Sequence, residues 1–410
     1  MKLQLLSSTK NKFLKDNDFF AYLFVNDYDL PEFAAILQPN FSEIGINVDS
    51  LKYEDIDKSN PWLVGIKLLP WHLTNFNYET DILDYFSDEI KYELLNGSAY
   101  FLIDNSAESH TCRIFRWIHQ FLKNTKLPAN KIIYMSHSYK LDMHYNNFCL
   151  ENNISSEDKI STIYSGFCFS NFISDYDLKF YQYNRTKPKS KIYLFLNRVD
   201  RVHRLMMVSM LSYYDLLRHG YVSLGSNPNV NNLVLDTDIR LREGFEKIKH
   251  KFPLVLDTHD FENNILVGMS TLPMEYYQDT YFSLVSSTHA LSTQEKSTAT
   301  NEKELKPILA KQPFIIWGRP YALESMRDMG FMTFSKWFDE SYDTETDDIK
   351  RMEKIVLEIR RLTSLSSIQW EQILKEMEPV ILHNYNRLTN YFYERYYFSS
   401  DLKKFLLWVA

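Results

Sequence analysis

The sequence predicts an α/β protein of two domains, each built on a parallel sheet, with one helical tail after the second. Three observations lead there. Short apolar runs of strand length recur in both halves, and several end in polar residues. Between them lie stretches with apolar residues at i, i+3, i+4 spacing, as in a helix packed on one face. A polar, basic, proline-bearing segment at 183–191 separates two apolar blocks and reads as a linker. Strands apolar throughout, alternating with helices, are the pattern of a parallel sheet covered on both faces.

The elements follow in order. In a first domain of residues 1–182, strands are expected at Trp62–Ile66, Ala99–Asp104 and Lys131–Ser136. Between the last two, Cys112, Phe115, Ile118, Phe121 and Leu122 place a helix over Ser109–Asn124. The second domain, 192–365, opens with a strand at Ile192–Leu196. A helix follows, marked by Val202, Leu205, Met206, Met210, Tyr213, Tyr214 and Leu217, with Gly220 as its expected stop. Further short strands are expected at Tyr221–Leu224, Leu254–Leu256, Phe282–Val285 and Phe314–Trp317, and a helix at Lys350–Leu362. The tail, 366–410, carries a long helix from Ile368 to Tyr391 and is expected to pack back on the first domain.

Composition removes several function classes. Ten glycines in 410 residues are far below the usual share of about 7%. No two form GxG, and Gly220 and Gly225, which have P-loop spacing, precede Ser226 rather than a lysine. Dinucleotide and P-loop signatures are therefore missing, as are GxSxG and HExxH. The formal charge of −7 offers no global basic field for nucleic acid. Cys112, Cys149 and Cys168 are too scattered for a disulfide framework or a zinc knuckle, and read as reduced thiols of a cytoplasmic protein. The apolar stretch at the N-terminus is too short for a signal peptide, and no run of about 18 apolar residues suggests a membrane span.

Two constellations invite chemistry. Leu196–Arg204 places Arg198, Arg201, His203 and Arg204 in a strand-to-helix turn. In a parallel sheet such turns form the ligand-binding edge, and helix N–H groups with guanidinium forks suit a phosphate. A solvated basic turn is the plain alternative, but cations at a helix start are unfavourable without an anion. The second is Asn301-Glu302-Lys303-Glu304-Leu305-Lys306-Pro307. Pro307 is expected in the first helical turn, which puts Glu302 and Lys303 at the helix mouth. There a carboxylate suits ribose hydroxyls and a lysine a phosphate; a charged helix start without function is the alternative.

Tyr281–Ser287, Asn301-Glu302-Lys303, Lys306–Leu309 and Pro313–Gly318 together resemble the donor-binding half of GT-B glycosyltransferases. The likeness is nearest to the fucosyltransferase and exostosin-like groups. Leu323–Phe334, followed by Asp339–Asp343, is similar to the tail of many phage and bacterial members of that group. The resemblance covers roughly residues 190–365. It implies two Rossmann-like domains facing a cleft, with the nucleotide sugar held by the second. It also implies donor contacts from Glu302 and Lys303 and from Arg198 or Arg201, to which the residues themselves add Arg204 and the strand-end Ser286. Asn301 stands where the family has Thr, and Glu295-Lys296 in the preceding loop is a competing pair.

The acceptor side is read from residues alone. Asp104, Glu108 and His110 follow a strand end, where one of them would be the general base of an inverting transfer. Ser106 or Ser109 as a helix cap is the structural alternative. His137 is next in line. Asp236/Asp238 is one of several DxD pairs, and Asp257 and Asp260 form a second acidic cluster, but no metal site and no cofactor beyond the sugar nucleotide are expected. The expected partners are a nucleotide sugar and an acceptor that is a glycan or DNA, the latter tracked by Arg185, Lys187, Lys189 and Lys191. A phage-type DNA base glycosyltransferase and a non-catalytic scaffold of the same fold remain the alternatives.

Overall fold

The computed structural model describes residues 2–6, 47–51, 53–67, 86–105, 112–136, 138, 140–164, 188–198, 200–225, 235–256, 272–292 and 302–391. They fall into two units, one ending at residue 164 and one running from residue 188 to 391. Each has its own parallel sheet, as the strand–helix alternation requires.

The first unit contains β1 (Lys2–Leu6), β2 (Asn47–Leu51), β3 (Trp62–Lys67), α1 (Asp88–Asn96), β4 (Ala99–Asn105), α2 (Cys112–Thr125), β5 (Ile132–Ser136), α3 (Leu141–Glu151) and β6 (Ser161–Tyr164). The strands pair in the order β2-β1-β3-β4-β5-β6, all parallel. β5 is buried along its whole length, which explains its unbroken apolar run. α2 turns Ile114, Phe115, Trp117, Ile118, Phe121 and Leu122 inward and leaves Arg113, Arg116 and Lys123 exposed. The aromatic richness of the chain finds its use here. Phe115 meets Tyr134 edge-on at 5.7 Å, and Phe101 meets Phe86 edge-on at 5.7 Å. Such pairs add about 0.5–1.5 kcal/mol beyond the area they bury. Helix α1 begins at Ser87, whose Oγ accepts from the Ile90 N–H at 3.4 Å, with Asp88 and Glu89 in its first turn.

The second unit contains β7 (Tyr193–Phe195), α4 (Val202–Tyr213), β8 (Gly220–Val222), α5 (Ile239–Ile248), α6 (Met274–Gln278), β9 (Phe282–Ser286), α7 (Glu302–Leu309), β10 (Phe314–Trp317), α8 (Ala322–Asp328), α9 (Asp348–Thr363) and α10 (Ser367–Tyr391). Its strands run in the order β10-β9-β7-β8, again all parallel. α4 is buried from His203 to Ser212. It approaches α5 closely at Gly244, where a Cβ would lie 1.9 Å from the Ser209 carbonyl oxygen.

Several expectations need correction. Gly220 does not stop α4. The helix ends at Tyr213, Asp215 takes the left-handed conformation at φ 57°, and Leu216 N–H returns to the Leu211 carbonyl at 2.9 Å. That is a Schellman stop with Asp in place of glycine. Gly220 instead opens β8, where a Cβ would strike the Tyr193 ring. Leu254–Leu256 is not a sheet strand: Leu254 makes one antiparallel bridge to Leu224, and Pro253 beside it has no N–H to extend a ladder. Pro307 lies in the second turn of α7, which starts at Glu302. The 188–191 part of the expected linker is tied to the second unit, with Ser190 N–H on Asp279 Oδ1 at 3.0 Å and Lys191 N–H on the Asp279 carbonyl at 3.3 Å. Helix α10 packs in the second unit, where Trp370 stacks on Tyr281 at 4.8 Å. The tail beyond Tyr391, expected on the first domain, lies outside the described residues.

Candidate functional site

The second sheet delivers its polar residues to one edge. β7 leads into Asn197 and Arg198, β9 ends at Ser286 and leads into Ser287, and β10 leads into Gly318 and Arg319. At this carboxyl edge α4 begins, with Arg201 as its cap residue. Arg201 makes no side-chain cap bond, and the first turn holds no acid. Elsewhere Asp238 caps α5 and Asp347 caps α9 through side-chain oxygens. The mouth of α4 therefore presents N–H groups and positive side chains together, the arrangement that favours an anion.

The three arginines part company. Arg198 is exposed, and its backbone runs against Gly225, where a Cβ would come within 2.6 Å of the Arg198 carbonyl oxygen. Arg201 reaches across to the β9 loop, Nη1 donating to the Thr288 carbonyl at 2.7 Å. Arg204 is buried at 3% exposure in the first turn of α4.

His203, unused in the expected donor set, lies between them at 1% exposure, its Nε2 3.0 Å from the Ser287 carbonyl. A carbonyl only accepts, so Nε2 carries the proton. Burial pushes this imidazole down to about 3, and Arg204, Arg201 and His289 push the same way. His289 is also lowered, first by burial and then by Arg201, Arg319 and Lys303. Two neutral imidazoles thus sit in a field made by four cationic side chains.

Among the expected donor residues, Lys303 is half-buried in the first turn of α7 and within electrostatic reach of His289. Ser286 ends β9 at 3% exposure. Glu302 opens α7, but its side chain lies outside the described part, as do Asn301, Glu295 and Lys296. The buried carboxylate of α7 is Glu304, at 4% exposure, accepting a short hydrogen bond from Ser287 Oγ. The sequence held a signal for it: Glu304 is four residues before Ile308, on the side of α7 that also buries Leu305 and Leu309.

The edge is braced from behind by Arg351 of α9, at 1% exposure. Its Nε donates to the Gly318 carbonyl at 3.1 Å, Nη2 to the Ala290 carbonyl at 2.7 Å and Nη1 to the Glu345 carbonyl at 2.9 Å. It also pairs with Asp348 and lies 5.0 Å over the Trp317 ring. Trp317 Nε1 donates to the His203 carbonyl at 3.0 Å. The turns after β7, β9 and β10 are thereby fixed to one another.

In the first unit, Asp104 is in β4, its backbone level with Lys67 and Met135, and its side chain lies outside the described part. Glu108, His110 and His137 lie outside it altogether. The described end of this sheet is neutral: Asn105 Nδ2 donates to Tyr134 Oη at 3.0 Å, and Ser136 and Ser138 are buried. The acids of the Asp236/Asp238 pair are engaged by Arg242 and Arg240. Asp257 and Asp260 are outside the described residues. No group of His, Cys, Asp and Glu among the described residues is placed to hold a metal, and no described helix is long and apolar enough to cross a membrane.

No family model and no curated protein matches the chain. Among solved structures it is similar to the N-terminal domain of Candida albicans trehalose-6-phosphate phosphatase, at 11% identity and a TM-score of 0.37, over 95% of each chain. The α,α-trehalose 6-phosphate synthase from Burkholderia multivorans is similar at 10% identity and TM-score 0.38, over 92% of this chain and 76% of that one. Trehalose-6-phosphate synthase OtsA is similar at 12% identity and TM-score 0.37, over 98% and 99%. Likeness at this level says nothing of activity.

Proposed function

We propose that the chain is a glycosyltransferase whose nucleotide-sugar donor is held, through its diphosphate, at the carboxyl edge of the second sheet. The observation behind this reading is the gathering of Arg201, His203, Arg204, His289, Lys303 and Arg319 around the uncapped start of α4. A diphosphate suits the net positive character of this edge, and helix N–H groups with guanidinium forks are its natural ligands. With those side chains neutralising the leaving diphosphate, the reaction needs no metal. The donor contacts are assigned to Arg198, Arg201, Arg204, Ser286, Lys303 and Glu302. The general base is assigned to the end of β4 and the segment after it, to Asp104, Glu108 or His110, since a parallel sheet presents its ligand-facing groups at strand ends.

Calorimetric titration with UDP-, GDP- and dTDP-sugars tests the donor site. At least one should bind with micromolar affinity, weakened by salt and unaffected by EDTA. Binding of none of them would defeat the reading. For the base, Glu108→Gln or Asp104→Asn should lower turnover by about 10²-fold or more while leaving donor affinity in place. Unchanged turnover in both, and in His110→Ala, would remove that assignment.

A further inference from the structure

The same edge holds two buried neutral side chains whose polar atoms find no hydrogen-bond partner among the described residues. Asn197 is 2% exposed and Ser286 3% exposed. Neither Asn197 Nδ2, Asn197 Oδ1 nor Ser286 Oγ has a hydrogen-bond partner among the described residues. The Asn197 backbone, by contrast, is fully engaged: its N–H donates to Ser223 Oγ at 3.0 Å and its carbonyl accepts from Gly225 N–H at 3.0 Å. The segment is therefore held in the sheet while its amide side chain is left unsatisfied.

The register brings the two together. β7 and β9 are level at Leu194 and Ser283. Carried three residues past that last paired position, the same register would set Asn197 opposite Ser286, which is itself level with Trp317 on β10. Residues level on neighbouring strands project to the same face of a sheet. On that face the Trp317 indole N–H binds the His203 carbonyl, in the first turn of α4. On this register the amide and the hydroxyl lie on the side of the sheet where α4 opens.

Leaving a buried donor or acceptor unmade costs about 1–3 kcal/mol per group, and native interiors keep few of them. Three such atoms in one row at a ligand-binding edge call for a ligand that completes them. An amide with a hydroxyl offers both donors and acceptors and carries no charge, so it matches the hydroxyls of a sugar rather than a phosphate. Building on the proposed donor site, we propose that Asn197 and Ser286 form the neutral subsite that reads the sugar hydroxyls of the nucleotide-sugar donor.

The experiment separates this from a structural role and from failure of the donor site itself. Asn197→Leu and Ser286→Ala remove the polar atoms at nearly constant volume. Melting temperature of the free proteins is measured first, then affinity for UDP, GDP and dTDP and for their sugar conjugates. The expected result is a free-protein melting temperature that is unchanged or raised, and nucleoside diphosphate affinity within about twofold of wild type. The preference for the sugar conjugate should fall about tenfold, the size of a lost neutral hydrogen bond. A melting temperature lowered by several degrees with the preference intact would mean that the pair is already bonded in the free protein and would overturn the proposal. Retained preference at unchanged stability would overturn it too, as would a wild type that binds diphosphates and their sugar conjugates equally. A wild type that binds neither removes the donor site and this subsite with it. If Asn197→Leu does not fold, Ser286→Ala, the loss of one oxygen, decides alone.

Discussion

Ser287 and Glu304 share a buried hydrogen bond that joins the end of β9 to the first turn of α7, seventeen residues on. Gly318 makes room for it, since a Cβ there would lie 2.9 Å from Ser287 Oγ. The bond fixes the start of α7 against the end of β9. Lys303, adjacent to Glu304, is positioned by the same bond.

Glu304→Ala should destabilise the protein by about 1–3 kcal/mol, the cost of leaving the buried Ser287 hydroxyl without its partner. Ser287→Ala should cost a similar amount, and the double variant should cost less than the sum of the two, because the partners act as a unit. Chemical denaturation of the four proteins checks this. Additive losses would show that the pair is not energetically coupled.

Lys303→Ala and Arg201→Ala should separate binding from stability. Lys303 is half-buried and Arg201 exposed, so neither change opens a core cavity. Each should weaken nucleoside diphosphate binding by about tenfold or more, through loss of a charge-assisted contact. The salt dependence of binding should also become shallower. Glu295→Ala and Lys296→Ala should leave binding as it is; weakened binding there would move the functional pair into that loop.

Arg351 should matter for binding without touching the ligand. Arg351→Met removes the donors to three carbonyls, those of Gly318, Ala290 and Glu345, and should cost about 3 kcal/mol or more. Arg351→Lys keeps the charge but lacks the planar fork that reaches separate acceptors, so it should restore stability only in part. Because the guanidinium holds the turns bearing His289 and Arg319, diphosphate affinity should fall in both variants at temperatures where they remain folded. Native affinity in a folded Arg351→Met would show that the brace serves stability alone.

β7 and β10 were legible because they are buried along their whole length and therefore apolar without interruption, as in Phe314–Trp317. β1, β2 and β6 were missed because Lys2–Leu6, Asn47–Leu51 and Ser161–Tyr164 mix polar residues into short segments and carry no clear period. The arginine turn was readable from charge at a strand-to-helix junction. His289, Arg319 and Arg351 were not, since they are brought to the edge by separate strands and a distant helix, and no local spacing encodes that. Asn197 stands inside the arginine turn, where an asparagine beside a strand ordinarily signals no more than a turn. Only its burial without a partner distinguishes it.

His203 ties the site to pH. Its folded value is about 3, against the ordinary 6.5, because burial and neighbouring arginines disfavour the imidazolium. The unfolded chain takes up a proton near pH 6.5 that the folded chain refuses until near pH 3. The unfolded state therefore binds more protons between those limits, and stability falls as pH is lowered through them. The slope from this one group approaches about 1.4 kcal/mol per pH unit. His289 is lowered as well and acts in the same direction over a narrower range. His203→Gln keeps a donor for the Ser287 carbonyl and cannot titrate, so its stability between pH 6.5 and 4 should fall less steeply than that of wild type. The difference between the two denaturation profiles isolates His203 from the carboxylates, which titrate in both proteins. Parallel profiles would mean that His203 takes its proton in the folded protein at an ordinary pH, and that the cationic edge is less desolvated than its burial indicates.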